Sequence, residues 1–410
     1  MIDTAGPWGT GPFTLAEGYS SINTRCAIMR ANPFSCSWLI ESEDRSDRLV
    51  LEANRNHWNL ERGPRLERVV FRNALAHAEA LELCLTTEGE VDIVTEVSPA
   101  DAQRVLDSAH ANLVRVDANR VLVGIINRGA LDAPLADRRA RQALNFAINR
   151  QQVIEQGLGG YANPLCALTP AWCGGFPAGA QPYAHDPERA RQLMREAGWP
   201  EGRALRLAAP EAFVGLARMI GAGITAALDI VVEIIAIPPS QQLAGQRVLI
   251  EKKLALPWDV LLFGWFDLSS EAPPAAVHRE FCGSDGAFRA GPVLPEFDTL
   301  YAEMAAQLDG AHLVAVAEHI DTYVYDEALA LFLCAPQALY AVNKHVRFGA
   351  YRTTFELAET EVDEQHWSRR QARAEASATP AQGTDIPGVG DEGKDQDKAN
   401  FSGASAGNAC

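Results

Sequence analysis

The chain opens on alternating apolar and polar positions. Phe13-Thr14-Leu15, fed by the loop Gly9-Thr10-Gly11-Pro12, reads as a strand. Arg48-Leu49-Val50-Leu51-Glu52-Ala53-Asn54 alternates as a second and closes at His57-Trp58-Asn59. Arg68–Arg72 is a third strand. Apolar residues at helical spacing from Ala74 to Leu85 then predict a helix stopped by Gly89, and Val91–Val94 returns to strand. Ser98-Pro99 carries the signature of a helix start, with Ser as cap and Pro at the first helical position. Strands are expected at Leu113–Val116 and Val121–Ile126. Alternating strands and helices of this kind imply an α/β lobe.

From Asp137 the period becomes helical. Ala140, Leu144 and Ala147 share one helix face, while Arg138, Arg141 and Asn145 share another. Residues 161–185 form a Pro- and Gly-rich loop. Asp186-Pro187 starts a helix that ends at Gly198, a C-cap glycine. Short apolar strands are expected at 204–208, 231–237 and 259–263, with mostly helix from Pro295 to Leu333 and an extended segment at Tyr340–Val342. The apolar stretch Phe213–Leu228, interrupted by Arg218, reads as a buried helix and not as a membrane span. Beyond Trp367 large apolar side chains nearly vanish, so residues 370–410 are expected to be a disordered acidic tail, unable to offset the entropy of ordering by burial.

With 410 residues the chain is too long for one ordinary core, and two lobes are the natural expectation. The formal net charge of −17 argues against nucleic acid and against an anionic membrane surface. The opening MIDTAGPWGTGPF has no basic n-region, apolar h-region or cleavage site, so it is not a signal peptide, and taken literally the chain stays in the cytoplasm. No C-x-x-C occurs among the eight cysteines. Cys84 and Cys334 lie in apolar segments as core thiols. Cys166 with Cys173 is the better candidate for a local disulfide in an exported protein, and Cys26 with Cys36 the weaker.

Several of these segments, in order, resemble the extracellular solute-binding proteins of family 5, the peptide- and nickel-binding type that serves ABC importers. They are Gly9–Phe13, Leu51–Trp58, Arg68–Arg72 with Gly89–Ile93, and the long run Pro134–Arg150 (PLADRRARQALNFAINR). Asp186–Ala190 with Ala197–Gly202, and Phe263-Gly264-Trp265-Phe266-Asp267, complete the set. Most of these residues are scaffold. The resemblance implies a two-lobed, periplasmic-binding-protein-like (class II, venus-flytrap) α/β fold. Residues 1–128 would be the remaining part of lobe I, 129–340 an inserted lobe II, and 341–369 the return to lobe I. A signal peptide and a stretch comparable in length to residues 1–128, usual in the family, are not in this sequence, so part of lobe I would be missing.

The resemblance also implies what the molecule does. A monomeric, non-catalytic protein, without cofactor or metal, would capture an oligopeptide-like ligand or a nickel chelate between its lobes. It would then deliver that ligand to ABC permease subunits from the periplasm or cell exterior. Trp265 and Asp267 are the first candidates for the site. Asp267, or Glu271 four residues on, would pair with a ligand ammonium. Tyr161 follows Gly159-Gly160 where the family places a cleft loop, and Asn127 stands as a hinge residue at the lobe junction. Each also has a plain packing reading. Two other readings stay open on the same fold: a cytoplasmic ligand sensor and a non-functional remnant. A hydrolase built on His278 and Cys282, four apart on a helix, lacks an identifiable orienting acid.

Overall fold

The computed structural model describes residues 9–18, 47–241, 256–266, 275–352 and 355–378. Strands β1 (Phe13–Glu17), β2 (Arg48–Ala53) and β3 (Arg68–Arg72) form a small antiparallel sheet in that order. His57 closes the second strand by turning inward: its Nδ1 lies 3.1 Å from the Thr10 carbonyl. Helix α1 (His77–Thr86) packs against β4 (Ile93–Val94), and β5 (Ala111–Val116) follows further along the chain. Between them Ser98 turns the chain. Helix α2 (Ala102–Leu106) starts three residues beyond the expected cap, because Ser98 Oγ accepts the Asp101 N–H and donates to the Asp101 carboxylate.

The largest body is a six-stranded mixed sheet. Its strands are β6 (Arg120–Ile126), β7 (Ala162–Pro164), β8 (Leu205–Pro210), β9 (Val232–Ile237), β10 (Val260–Phe266) and β11 (Ala330–Pro336), in the order β7-β11-β6-β10-β8-β9. Helices cover both faces. Leu122, Val260, Leu262, Leu331 and Leu333 point to one face, covered by α3 (Arg138–Phe146), α5 (Pro187–Glu196) and α6 (Val214–Leu228), with the short α4 (Arg150–Gln152) after α3. Val121, Val123, Leu261, Phe263, Trp265 and Phe332 point to the other, covered by α7 (Ala275–Cys282), α8 (Pro295–Ala305) and α9 (Gly310–Asp326). Glu211–Leu228 is long and apolar enough to cross a membrane. Leu216, Ala217, Ile220 and Ile224 are nevertheless buried against the sheet, as a core helix requires.

Two expectations shift here. The end of the stretch expected to be helical, 330–333, is β11. Its run of apolar residues faces helices on both sides, so the period that separates strand from helix is missing. Strand β6 was expected ahead of the inserted lobe, yet it sits at the sheet's centre between β10 and β11, antiparallel to both. The chain crosses between sheets earlier than residue 128, at Asp117–Asn119.

After β11 the chain turns at Gln337 into β12 (Ala338–Asn343), the middle strand of a sheet ordered β4-β12-β5. A hairpin, β13 (Val346–Ala350) and β14 (Phe355–Val362), leads to helix α10 (Trp367–Ala378). Asp92 fastens this helix, accepting from Trp367 Nε1 at 2.9 Å and from His366 Nε2 and Asn343 Nδ2 at 3.1 Å each. Helix α10 thus takes in residues 370–378, nine residues of the stretch where disorder was expected. The rest of the expected tail, 379–410, lies outside the described residues.

Polar side chains weld these layers. Asp137 and Asp186 cap their helices as their positions predict, accepting from the N–H groups of Arg139 and Arg189. Buried Arg141 donates to the carbonyls of Leu135, Ala136, Glu327 and Ala328. Asn145 donates to Ala330 O and accepts from Phe332 N–H and Arg150. Arg150 itself is tied to the carbonyls of Phe332, Asn145 and Tyr183, and burial lowers its pKa to about 10.

Asp259 plays the same part at the start of β10. It is 0% exposed, and its carboxylate accepts from Arg203, from Arg206 Nη2 at 2.8 Å and from the Arg206 N–H at 2.7 Å. Burial pushes this carboxyl up, but the bonds from Arg203 and Arg206 outweigh it and leave its pKa below the ordinary value of 3.8. A depressed carboxyl adds stability above its unfolded pKa and loses it as pH falls through the folded one. Replacement Asp259→Asn is therefore expected to cost about 3 kcal/mol at neutral pH, because it leaves two guanidinium groups with only the exposed Asp132 as a carboxylate partner. The gap to wild type should close as the pH drops below the ordinary carboxylate range. Urea unfolding at a series of pH values measures both; a gap independent of pH would contradict the assignment.

Candidate ligand-binding site

The chain passes between the six-stranded sheet and the β4-β12-β5 sheet twice, from β5 to β6 and from β11 to β12, and the two passages touch. Asp117 Oδ1 on the first accepts from Gln337 Nε2 on the second, and from Asn163 Nδ2 of β7, each at 2.8 Å. Buried Asn119 accepts from Trp172 Nε1 at 3.0 Å, and its N–H donates to the Arg352 carbonyl at 2.8 Å. The Arg352 guanidinium lies 5.4 Å from the centre of the Trp172 ring. Arg120, first residue of β6, reaches Glu96 beyond β4 at 2.5 Å. Glu96 holds a left-handed backbone (φ +62°), a conformation that costs a non-glycine residue about 1–2 kcal/mol. Charged and aromatic side chains thus collect where the two sheets meet.

Trp265 stands at this end. Register pairs it with Val121 and the next residue, Phe266, with Arg120. Its ring is 8% exposed and sits in a box of Phe263, Phe281 and Phe288, with centroids 5.9–6.3 Å away. The indole Nε1–H is buried and has no acceptor among the described residues. Such a donor costs about 1–3 kcal/mol until something accepts from it. Tyr161 also belongs to this region. Its carbonyl accepts from Gln337 N–H at 3.0 Å, and its ring packs against the cluster of Leu81, Val97 and Leu339. Asp267 and Glu271 lie outside the described residues.

Asn127 is not at this junction. It follows the far end of β6, where Nδ2 donates to Trp258 O at 3.1 Å and Oδ1 accepts from Gly129 N–H at 3.1 Å. Seven strand residues separate it from the crossing, roughly 23 Å of extended chain. It sits in a turn, and the two passages between the sheets run instead through Asp117, Asn119 and Gln337. None of these three, nor Arg120, Trp172 or Arg352, carried a signal in the sequence; only the pairing of distant strands brings them together.

The Cys–His pair gains in the structure the acid that the sequence lacked. His278 Nε2 lies 2.6 Å from Asp321 Oδ1, and Asp321 also accepts from Thr169 Oγ1 and the Leu168 N–H. All three side chains are buried, and burial pushes the Cys282 thiol up to about 12, opposite to what a nucleophile needs. Cys166 and Cys173, the candidate disulfide, are separate buried thiols, as are Cys84, Cys282 and Cys334. Cys26 and Cys36 fall outside the described residues.

The doubly covered mixed sheet, joined to a second α/β unit by two adjacent passages, is the architecture of two-lobed solute-binding proteins. The structure superposes on the ABC transporter substrate binding protein CtaP from Listeria monocytogenes with a TM-score of 0.69 and 18% identity, covering 86% of this chain and 67% of that one. The profile described as bacterial extracellular solute-binding proteins, family 5 middle, matches residues 35–278, and the chain belongs to this family. It is similar to the glutathione-binding protein GsiB of Salmonella typhimurium, 33% identical over 100 residues, which are 24% of this chain and 19% of that protein. It is also similar to the dipeptide-binding protein of Escherichia coli K12, 25% identical over 201 residues, 49% of this chain and 32% of that one. These matches span about a fifth to a third of the length of those relatives.

Burial makes a direct prediction about the thiols. In a variant with Cys26, Cys36 and Cys410 replaced by Ser, a thiol-specific chromophoric disulfide reagent should find almost no reactive group in the folded protein. It should find all five remaining thiols after unfolding in urea. A single fast-reacting thiol that disappears with Cys282→Ala would reopen the hydrolase reading; fewer than five after unfolding would indicate a disulfide.

Proposed function

We propose that this chain is the solute-binding component of an ABC importer, a non-catalytic monomer that captures a short peptide-like ligand between two lobes. It then presents that ligand to permease subunits, working in the periplasm or outside the cell. In this reading the lobes divide at Asp117–Asn119 and at Gln337. Lobe II is the six-stranded sheet with its helices, and lobe I is the β4-β12-β5 sheet with the N-terminal and C-terminal segments.

The observation that carries the reading is the buried indole N–H of Trp265, without an acceptor among the described residues, at the end of β10 beside Arg120 and the crossing. A peptide carbonyl is the acceptor it lacks. The names of two relatives, glutathione-binding and dipeptide-binding, point to the same ligand class. A peptide also carries an ammonium, for which Asp267 or Glu271 supplies the carboxylate, and a carboxylate, for which Arg120 supplies a cation once it leaves Glu96. Tyr161 adds an aromatic wall. Two lobes that each hold part of one ligand close on it by differential affinity, without a covalent step.

Calorimetric titration with glutathione, dipeptides and tripeptides tests this. At least one should bind saturably. Replacement Trp265→Phe keeps the aromatic box but removes the donor. It should leave the ligand-free stability within about 1 kcal/mol and weaken peptide binding about tenfold or more. Equal affinity in the variant would remove Trp265 from the site, and no binding across the panel would overturn the peptide reading.

A further inference from the structure

The passage from β5 to β6 is held from two sides at one residue. Asn119 is 2% exposed. Its N–H donates to the Arg352 carbonyl at 2.8 Å, and its Oδ1 accepts from Trp172 Nε1 at 3.0 Å. These two partners belong to different bodies. Arg352 follows β13, whose Phe348 ring lies 5.1 Å from that of Tyr340 in β12, so it moves with the β4-β12-β5 sheet. Trp172 lies in the loop after β7 and packs against the cluster that holds Trp265. That loop is pinned to α9 on either side of Trp172. Thr169 Oγ1 donates to Asp321 at 2.8 Å, and a Cβ added to Gly175 (φ +81°) would lie 2.5 Å from Ala317 Cβ. Trp172 is therefore carried by the six-stranded sheet and its helices.

The two bodies meet again over the indole. The Arg352 guanidinium lies 5.4 Å from the centre of the Trp172 ring, and its Nη1 is 3.5 Å from the Trp172 carbonyl. A guanidinium is attracted to an aromatic face within about 6 Å of the ring centre, so carrying Arg352 outward by more than about 1 Å forfeits the attraction. A contact made in one arrangement of two bodies and lost in the other shifts the balance between them. Arg120 with Glu96 also spans the junction. In the peptide reading, however, Arg120 leaves Glu96 for the ligand, and a solvent-accessible ion pair contributes little. Trp172 and Trp265 pack on the same face of the sheet. The stack therefore lies on the side of the junction where ligand would be held, and it forms as the lobes close.

We propose that Asn119, Trp172 and Arg352 form a latch between the lobes that favours their closed arrangement, with Asn119 as the pivot and the stack of Arg352 on Trp172 as the releasable part. This rests on the peptide reading only in taking the two bodies as lobes that close, and it does not depend on which ligand they close upon. The three are positioning residues.

The test measures the distance between the lobes without ligand. Spin labels are placed at Glu79→Cys in α1 and Glu188→Cys in α5, both exposed, in the full chain with Cys26, Cys36 and Cys410 replaced by Ser. Double electron–electron resonance then reads the distribution of distances. In Arg352→Ala the ratio of short to long distances should fall about two- to fivefold, the worth of one exposed cation–π contact. Trp172→Phe cuts the same contact from lobe II, and also removes the donor to Asn119, so the ratio should fall at least as far. Arg352→Lys keeps a cation over the ring and should stay near the parent. Arg352 is exposed, so its loss leaves folding intact, and Trp172→Phe is an independent cut. A ratio unchanged in both Arg352→Ala and Trp172→Phe, or one that rises, would overturn the latch. Titration of the same proteins with glutathione and dipeptides keeps the two readings apart. Loss of the latch should lower peptide affinity by no more than the fall in the distance ratio. An altered ratio without any peptide binding overturns the peptide reading alone, and peptide binding with an unaltered ratio overturns the latch alone.

Discussion

Strand β6 is the constraint on which the rest of the molecule depends. Both its edges are hydrogen-bonded, to β10 and to β11, and both its faces are covered by helices, so Val121 through Ile126 are all buried. A slip of one residue would exchange the side chains of Val121 and Val123 with those of Leu122 and Gly124. Gly124 has no room for this: a Cβ there would lie 2.7 Å from Val260 and 2.8 Å from Leu331. The strand is therefore fixed along its length, and polar chemistry is confined to its ends. At one end Arg120 reaches Glu96 beyond β4, and Trp265 pairs with the neighbouring Val121. At the other Asn127 turns the chain, tied to Trp258 O and the Gly129 N–H.

The same logic explains why the longest sequence motif is not a site. Pro134–Arg150 carries three buried polar side chains, Arg141, Asn145 and Arg150, that all reach β11 or the turn before it. They take up backbone groups of the sheet's neighbouring strand from the helix side and so hold α3 in one register. Losing Asn145 alone would leave the Phe332 N–H and the Arg150 guanidinium each short of a partner, at about 1–3 kcal/mol apiece. Residues of this kind look functional in a sequence because they are polar and closely spaced. Their partners, however, are main-chain atoms nearly two hundred residues away.

What was legible in the chain was local. Capping by Asp137 and Asp186, the stop at Gly89 and the alternation in β2 each depend on a few neighbouring residues, and each appears where the spacing places it. The motif singled out Trp265, but its burial and its indole without an acceptor among the described residues were not legible. What failed was non-local. β11 has no alternation because both faces are covered, so it passed for helix. Where the sheets meet was likewise not legible: the passages lie at the end of β6 opposite Asn127.

Charge bears on what reaches the crossing end of β6. The chain carries a formal charge of −17, so its long-range field repels anions and favours a ligand with a free ammonium. At physiological ionic strength that field decays over about 8 Å, and a contact made inside the protein is screened far less. In the proposed reading a peptide meets both effects in its favour, since its ammonium is attracted at a distance and its carbonyl and carboxylate are met only at contact, by Trp265 and Arg120.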